Sequence, residues 1–224
     1  MNPRPSLPSR LLIVTDRHQA AAPVAEIVDA AVRAGARWIW LRDRDLAATE
    51  RRALAVELLA ITRQANARLA IGADVELTAE LGADGVHLAS DASPGAIAAA
   101  RARLGDAALI GISAHADIDV AAAQAAGADY ATLSPVYATA SKPGYGPELG
   151  LAALAHAARL GLRLGLPVLA LGGVTPQRAP ECLAAGAAGI AVMGEIMRAP
   201  GRPNGVGDAV RAFLDALSPQ AARP

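Results

Sequence analysis

The amino-acid sequence predicts an α/β protein, a single closed (β/α)₈ barrel, on three observations. A helical segment that ends in Gly-Ala and runs directly into an apolar strand recurs four times, at Gly35-Ala36, Gly82-Ala83, Gly127-Ala128 and Gly186-Ala187. Further apolar runs at 11–15, 68–71, 108–112 and 167–171 fall between those copies, so eight strand–helix units alternate along the chain. The length of 224 residues, 53% of them hydrophobic, suffices for one large core of this type. Strands joined by helices run parallel and bury both faces, which is why they read as continuous apolar runs rather than alternating ones. An open doubly wound sheet is the second choice. Eight units paired within this length favour closure.

The elements follow in order. The first strand, 11–15, leads to a helix over 23–34, which Gly35 closes in the left-handed position past a helix end. Trp38-Ile39-Trp40-Leu41 is the second strand and 47–65 its helix. The third strand, 68–71, precedes a helix over 74–81 that opens on the acidic residues Asp74 and Glu76, and Gly82 closes it. Gly85-Val86-His87-Leu88 is the fourth strand, followed by a helix over 94–104. The fifth strand, 108–112, leads to 117–126, closed by Gly127. Tyr130-Ala131-Thr132-Leu133 is the sixth, with a long loop over 134–147 before the helix 149–163. The seventh, 167–171, leads to 176–185, closed by Gly186. Gly189-Ile190-Ala191-Val192 and a helix over 206–217 complete the set.

Composition excludes several classes. Lys plus Arg and Asp plus Glu are both 21, so no basic tract offers itself to nucleic acid or to a membrane surface. The lone Cys182 excludes an intrachain disulfide and reads as a small core hydrophobe. The apolar run 11–14 is shorter than the roughly 7–15 residues of a secretory signal, and no stretch reaches the roughly 18 uncharged residues of a membrane span. The expectation is a cytoplasmic protein whose barrel, 10–217, lies between frayed tails at 1–9 and 218–224. A homo-oligomer is allowed but not specified.

Barrel active sites lie at the C-terminal strand ends. Reading off those ends yields Asp16, Arg17 and His18; Arg42, Asp43 and Arg44; Gly72, Ala73 and Asp74; Ser113, Ala114 and His115; Thr139, Ser141 and Lys142; Gly172, Gly173 and Pro176; and Met193 and Gly194. The last two loops suggest a phosphate site: Gly172 and Gly173 let backbone N–H groups approach a ligand, Pro176 suits the first turn of a helix, and barrels often hold phosphate there. Arg42, directly after a buried strand, can hold a phosphate or carboxylate through two N–H groups, with Arg44 and Lys142 as further cations. His115 is the acid/base candidate, since imidazole suits proton transfer in either direction. His87 reads equally as a brace of the barrel rim. His18 is a weaker candidate, and His156 a surface residue of an Ala-rich helix.

Leu12-Ile13-Val14-Thr15-Asp16, Leu41-Arg42-Asp43-Arg44, the segment Gly82-Ala83-Asp84-Gly85-Val86-His87-Leu88, Ile110-Gly111-Ile112-Ser113-Ala114-His115, Gly127-Ala128-Asp129-Tyr130, Thr139-Ala140-Ser141-Lys142, Gly172-Gly173-Val174 and Gly189-Ile190-Ala191-Val192-Met193 resemble, in order, the motifs of the thiamin phosphate synthase/TenI family. The resemblance implies one of two chemistries. The synthase joins a pyrimidine pyrophosphate to a thiazole phosphate with Mg²⁺. The TenI-type branch moves protons on a thiazole carboxylate phosphate to reach the aromatic tautomer, and needs no metal. The resemblance places the thiazole-phosphate half on Thr139, Ser141, Gly172, Gly173, Val192, Met193 and Gly194, the last where a Ser often sits. Arg42 and Lys142 match the family's cations. Trp40 stands where the synthase has Gln, Arg44 where it has Lys, Gly72-Ala73 where it has Asn-Asp, and Ala92 where it has a further Asp, with Asp91 beside it. Mg²⁺ wants fixed carboxylate oxygens, so the expectation is a metal-independent thiazole tautomerase with His115, Arg42 and Lys142 at the reacting centre, no cofactor and no metal ligand. A synthase using Mg²⁺ through Asp74, Glu76 or Asp91, and a non-catalytic sensor of a phosphorylated ligand, are the alternatives.

Overall fold

A computed structural model describes residues 5–139, 148–199 and 205–218. Eight parallel strands close into one barrel in chain order: β1 (Leu11–Val14), β2 (Trp38–Leu41), β3 (Arg68–Gly72), β4 (Gly85–Leu88), β5 (Leu109–Ala114), β6 (Tyr130–Leu133), β7 (Val168–Leu171) and β8 (Gly189–Val192). Closure is direct, with Leu11, Leu12 and Ile13 of β1 in register with Ile190, Ala191 and Val192 of β8. Around it run α1 (Val24–Arg33), α2 (Ala48–Gln64), α3 (Val75–Leu81), α4 (Pro94–Leu104), α5 (Asp117–Ala125), α6 (Gly150–Leu164), α7 (Ala179–Ala184), α8 (Gly194–Met197) and α9 (Gly205–Leu217). None of the described helices is long and apolar enough to cross a membrane.

Side chains alternate across each strand. Leu12, Val14, Trp38, Trp40, Tyr130 and Leu169 fill the barrel interior, whereas Leu11, Ile13, Ile39, Leu41, Leu69 and Ile71 face the helices. Inside, Tyr130 meets Trp38 edge to face at 4.7 Å, an arrangement that aligns a positive ring edge with a negative ring face. Two Gly-Ala-Asp copies of the repeat act at the N-terminal strand ends. Asp84 Oδ2 accepts from Leu69 N at 2.8 Å while its own N–H donates to Leu69 O at 3.0 Å. Asp129 does the same to Ile110, at 2.8 Å both ways. Arg68 and Arg101 pair with these carboxylates at 2.6 and 2.5 Å.

Four expectations need adjustment. Residues 5–9, read as part of a frayed tail, are held: Leu7 packs against the interior cluster and Ser9 Oγ accepts from Leu11 N at 3.1 Å. β5 runs to Ala114, so Ser113 belongs to the strand. α7 starts at Ala179, because residues 176–178 form a turn whose Arg178 and Ala179 N–H groups both reach Thr175 O at 3.0 Å. Pro176 therefore opens no helix. The four-residue α8 was missed, since one turn is too short to show a helical period.

Candidate functional site

The C-terminal strand ends surround a cavity of about 160 Å³. Arg42, Arg44, His115, Thr139, the Gly172–Gly173 turn and the stretch from Val192 to Gly194 all border it. Those expected site residues are thus brought together from five different strand ends. Ser141 and Lys142 lie outside the described residues. The border also takes in Trp40, Ser113 and Arg198, and among the described residues its one carboxylate is Glu195.

The first two strand ends are tied by buried carboxylates. Thr15 donates its hydroxyl to Asp43 Oδ2 at 2.5 Å and accepts from Arg42 N at 3.1 Å. Arg17 N donates to Asp43 Oδ1 at 2.6 Å. Asp43 is 3% exposed, and its two oxygens hold the turn after β1 against the turn after β2. Asp16 Oδ2 accepts from Gln19 Nε2 at 2.6 Å and faces Arg42 Nη1 at 3.5 Å. Arg42 is half-buried and aimed by these contacts, while Arg44 is exposed at the mouth. His18 lies outside this set: its ring is exposed and paired with Asp45 at 2.6 Å. His156 is likewise exposed, 3.0 Å from Asp117.

His115 directly follows β5. Its backbone N–H donates to Asp119 Oδ2 at 2.8 Å, and its Nδ1 lies 2.7 Å from Ser134 O. A carbonyl oxygen only accepts, so Nδ1 carries a proton and, in the neutral ring, Nε2 holds the lone pair. The ring is thereby set in the tautomer of a base.

His87 is a different kind of group. It is 1% exposed, stacks on Trp40 at 3.7 Å, and has Tyr130 Oη 3.0 Å from Nδ1 and Ser113 Oγ 3.2 Å from Nε2. Burial pushes its pKa down to about 3, so it stays neutral. Burial also raises the Tyr130 hydroxyl far above its ordinary value. The pair links β4 to β6, and His87 itself lines the cavity.

The Gly172–Gly173 turn borders the cavity, and its glycines answer to a demand of packing as well. Their φ values are +94° and +62°, which side chains rarely adopt. A Cβ at 172 would stand 2.8 Å from Pro135 Cα, and one at 173 would stand 2.8 Å from Tyr137 Cβ and closer still to Ala138 O. The missing side chains thus make room for the chain after β6, while the turn itself lines the cavity. Arg178 fixes the turn from behind, donating to Gly173 O at 2.8 Å with its guanidinium over the Tyr137 ring.

Among the described residues no carboxylates are gathered to fit a magnesium ion. Gly72, Ala73 and Ala92 have no side-chain ligand atoms. Asp74 caps α3 through Leu77 N at 2.9 Å and pairs with the buried Arg51 at 2.9 Å. Glu76 is exposed and pairs with Arg103 at 3.1 Å, and Asp91 is exposed. Among the described residues no three His, Cys, Asp or Glu side chains converge.

Comparison with known proteins adds lineage to this geometry. Residues 11–196 match the family described as thiamine monophosphate synthase. A putative thiamine-phosphate synthase of Geobacter sulfurreducens is 40% identical over 211 residues, covering 94% of this chain and 95% of that protein. A thiamine-phosphate synthase of Roseiflexus sp. is 37% identical over 199 residues, 88% of this chain and 82% of its own. Among solved structures, the thiamine phosphate pyrophosphorylase of Pyrococcus furiosus superposes with a TM-score of 0.79 at 27% identity, covering 92% of this chain and 94% of its own.

Proposed function

This chain belongs to the thiamine monophosphate synthase family, and from that premise we propose that it acts on a thiazole phosphate by proton transfer, as a metal-independent thiazole tautomerase. One observation carries the reading: His115, on the cavity wall, is held by Ser134 O in the tautomer whose Nε2 accepts a proton. Nε2 takes a proton from the ring system of the thiazole carboxylate phosphate, and the imidazolium returns it at the position that completes the aromatic ring. Atoms and electrons balance within one molecule, so no co-reactant is needed. Arg42 faces the substrate carboxylate or orients the ring, and Lys142 is assigned the same task by resemblance. The phosphate lies toward the Gly172–Gly173 turn, with Thr139 and the stretch from Val192 to Gly194 as its neighbours. No metal or cofactor enters.

The names of the relatives favour a second reading, thiamin phosphate synthesis. In that reaction pyrophosphate departs with its charge spread over several oxygens, and a metal ordinarily stabilises that charge. The missing side-chain ligand atoms at Gly72, Ala73 and Ala92 weigh against it. Purified protein given the thiazole tautomer alone, and separately thiazole phosphate with pyrimidine pyrophosphate with and without Mg²⁺, discriminates the two. Conversion of the tautomer supports the first reading. Metal-dependent release of pyrophosphate with thiamin phosphate replaces it with the second. Ligand binding without turnover of either kind points to a sensor.

A further inference from the structure

We infer that Arg198 is a phosphate-recognising residue of the cavity, admitted there by the absence of a side chain at position 194. This rests on the reading of the ligand as a phosphate ester. Arg198 follows α8, and its backbone N–H donates to Gly194 O at 2.9 Å, one turn back. From there the side chain folds back over Gly194. Its Cζ and both terminal nitrogens occupy the space that a Cβ on residue 194 would take. Any residue other than glycine at 194 expels the guanidinium from this position.

The charge of Arg198 is available to a ligand. Its side-chain partner is Gln19 Oε1, a neutral amide, and among the described residues it forms no ion pair. Gln19 in turn donates to Asp16 Oδ2, so an amide stands between Arg198 and the carboxylate that faces Arg42. Arg42 thus has an ion-pair partner and, among the described residues, Arg198 does not, although Glu195 borders the same cavity. Arg198 borders the cavity beside Gly194 and across from the Gly172–Gly173 turn, the end at which the phosphate is placed. A planar guanidinium offers paired N–H groups at the spacing of phosphate oxygens, and a charge-assisted pair of this kind is stronger than a neutral hydrogen bond. Where the family often carries a Ser hydroxyl, this chain carries a glycine and a cation one turn later.

The test titrates inorganic phosphate, thiazole phosphate and the dephosphorylated thiazole alcohol into wild-type protein, Arg198→Met, Arg198→Lys and Gly194→Ala, following amide shifts by NMR. Arg198→Met is expected to weaken both phosphate species about 10–100-fold, the span set by a hydrogen bond to a charged group, with the alcohol unchanged. Arg198→Lys regains part of the loss. Gly194→Ala weakens phosphate binding with the arginine still in the chain, and adds little on top of Arg198→Met because the two act through one contact. Equal binding of thiazole phosphate by wild type and Arg198→Met overturns the assignment and leaves the substrate reading intact. Arg198-dependent binding of inorganic phosphate, with no binding of thiazole phosphate, keeps the assignment and overturns the substrate. No binding of either phosphate species to the wild type overturns both.

Discussion

The indole nitrogen of Trp40 lies 2.9 Å from the point where a Cβ on residue 72 would stand, so a side chain at 72 collides with the indole, with Leu41 O nearly as close at 3.0 Å. Among the described residues the same indole nitrogen is buried with no hydrogen-bond partner, and the ring is pinned by its stack on His87. By resemblance, 40 and 72 are the positions of the synthase's Gln and of the first member of its Asn-Asp pair. Their two departures therefore meet in one shared space.

Gly72→Asn is expected to lower stability by about 1–3 kcal/mol through overpacking. Trp40→Gln in the same chain is expected to relieve part of that loss. Denaturant unfolding of the two single variants and the double variant measures the coupling. Strictly additive effects would show that the two positions do not share the space.

His115→Ala is expected to reduce the proton-transfer step about 10²–10⁴-fold, the usual contribution of a positioned acid/base group. Thiazole phosphate affinity is expected to stay within a few-fold, since the phosphate lies elsewhere. Single-turnover kinetics with a separate binding isotherm check both halves. A loss below tenfold on the chemical step would reduce His115 to a structural histidine.

Thiamin phosphate formation is expected to be absent or very slow, and neither Mg²⁺ nor a chelator is expected to alter tautomer conversion. Product analysis by mass spectrometry, with and without the metal, decides this. Turnover on the order of 0.1–10 s⁻¹, ordinary for an enzyme, that a chelator abolishes would falsify the metal-independent reading and make Asp74, Glu76 and Asp91 the first residues to replace.

His87 ties stability to acidity. Its folded pKa is depressed to about 3 by burial, below the ordinary histidine value of about 6.5. Between those two values the unfolded chain binds a proton that the folded chain does not. Stability is therefore complete above the upper value and falls as pH drops through the window, with a slope approaching about 1.4 kcal/mol per pH unit. Unfolding measured from pH 7 to pH 5 should show this dependence in the wild type and lose it in His87→Phe. An equal slope in both would assign the proton uptake to other groups.

The barrel and most cavity residues were legible because both follow from position along a strand. Parallel, doubly buried strands leave apolar runs, and whatever polar residue follows a run lands at the mouth; Arg42, Arg44 and His115 were found this way. The glycine turn after β7 was located, but its packing role was not legible, because the contacts that require Gly172 and Gly173 come from residues 135–138, over thirty positions away in the chain. Arg198 was missed for a related reason. It belongs to a one-turn helix with no period to detect, and its reach to the cavity depends on an absent side chain. The indole of Trp40 against Gly72 is also invisible in one dimension, since the two residues meet only when β2 pairs with β3.

Asp84 and Asp129 each tie a strand start to its neighbour, at the opposite end of the barrel from the cavity. In a laboratory-evolution campaign the two ends would then accept change on separate terms. Substitutions around these carboxylates would register in expression yield and heat tolerance while leaving catalytic constants alone. Libraries confined to the loops after β1, β2 and β8 would explore new ligands on a frame whose registration they never touch.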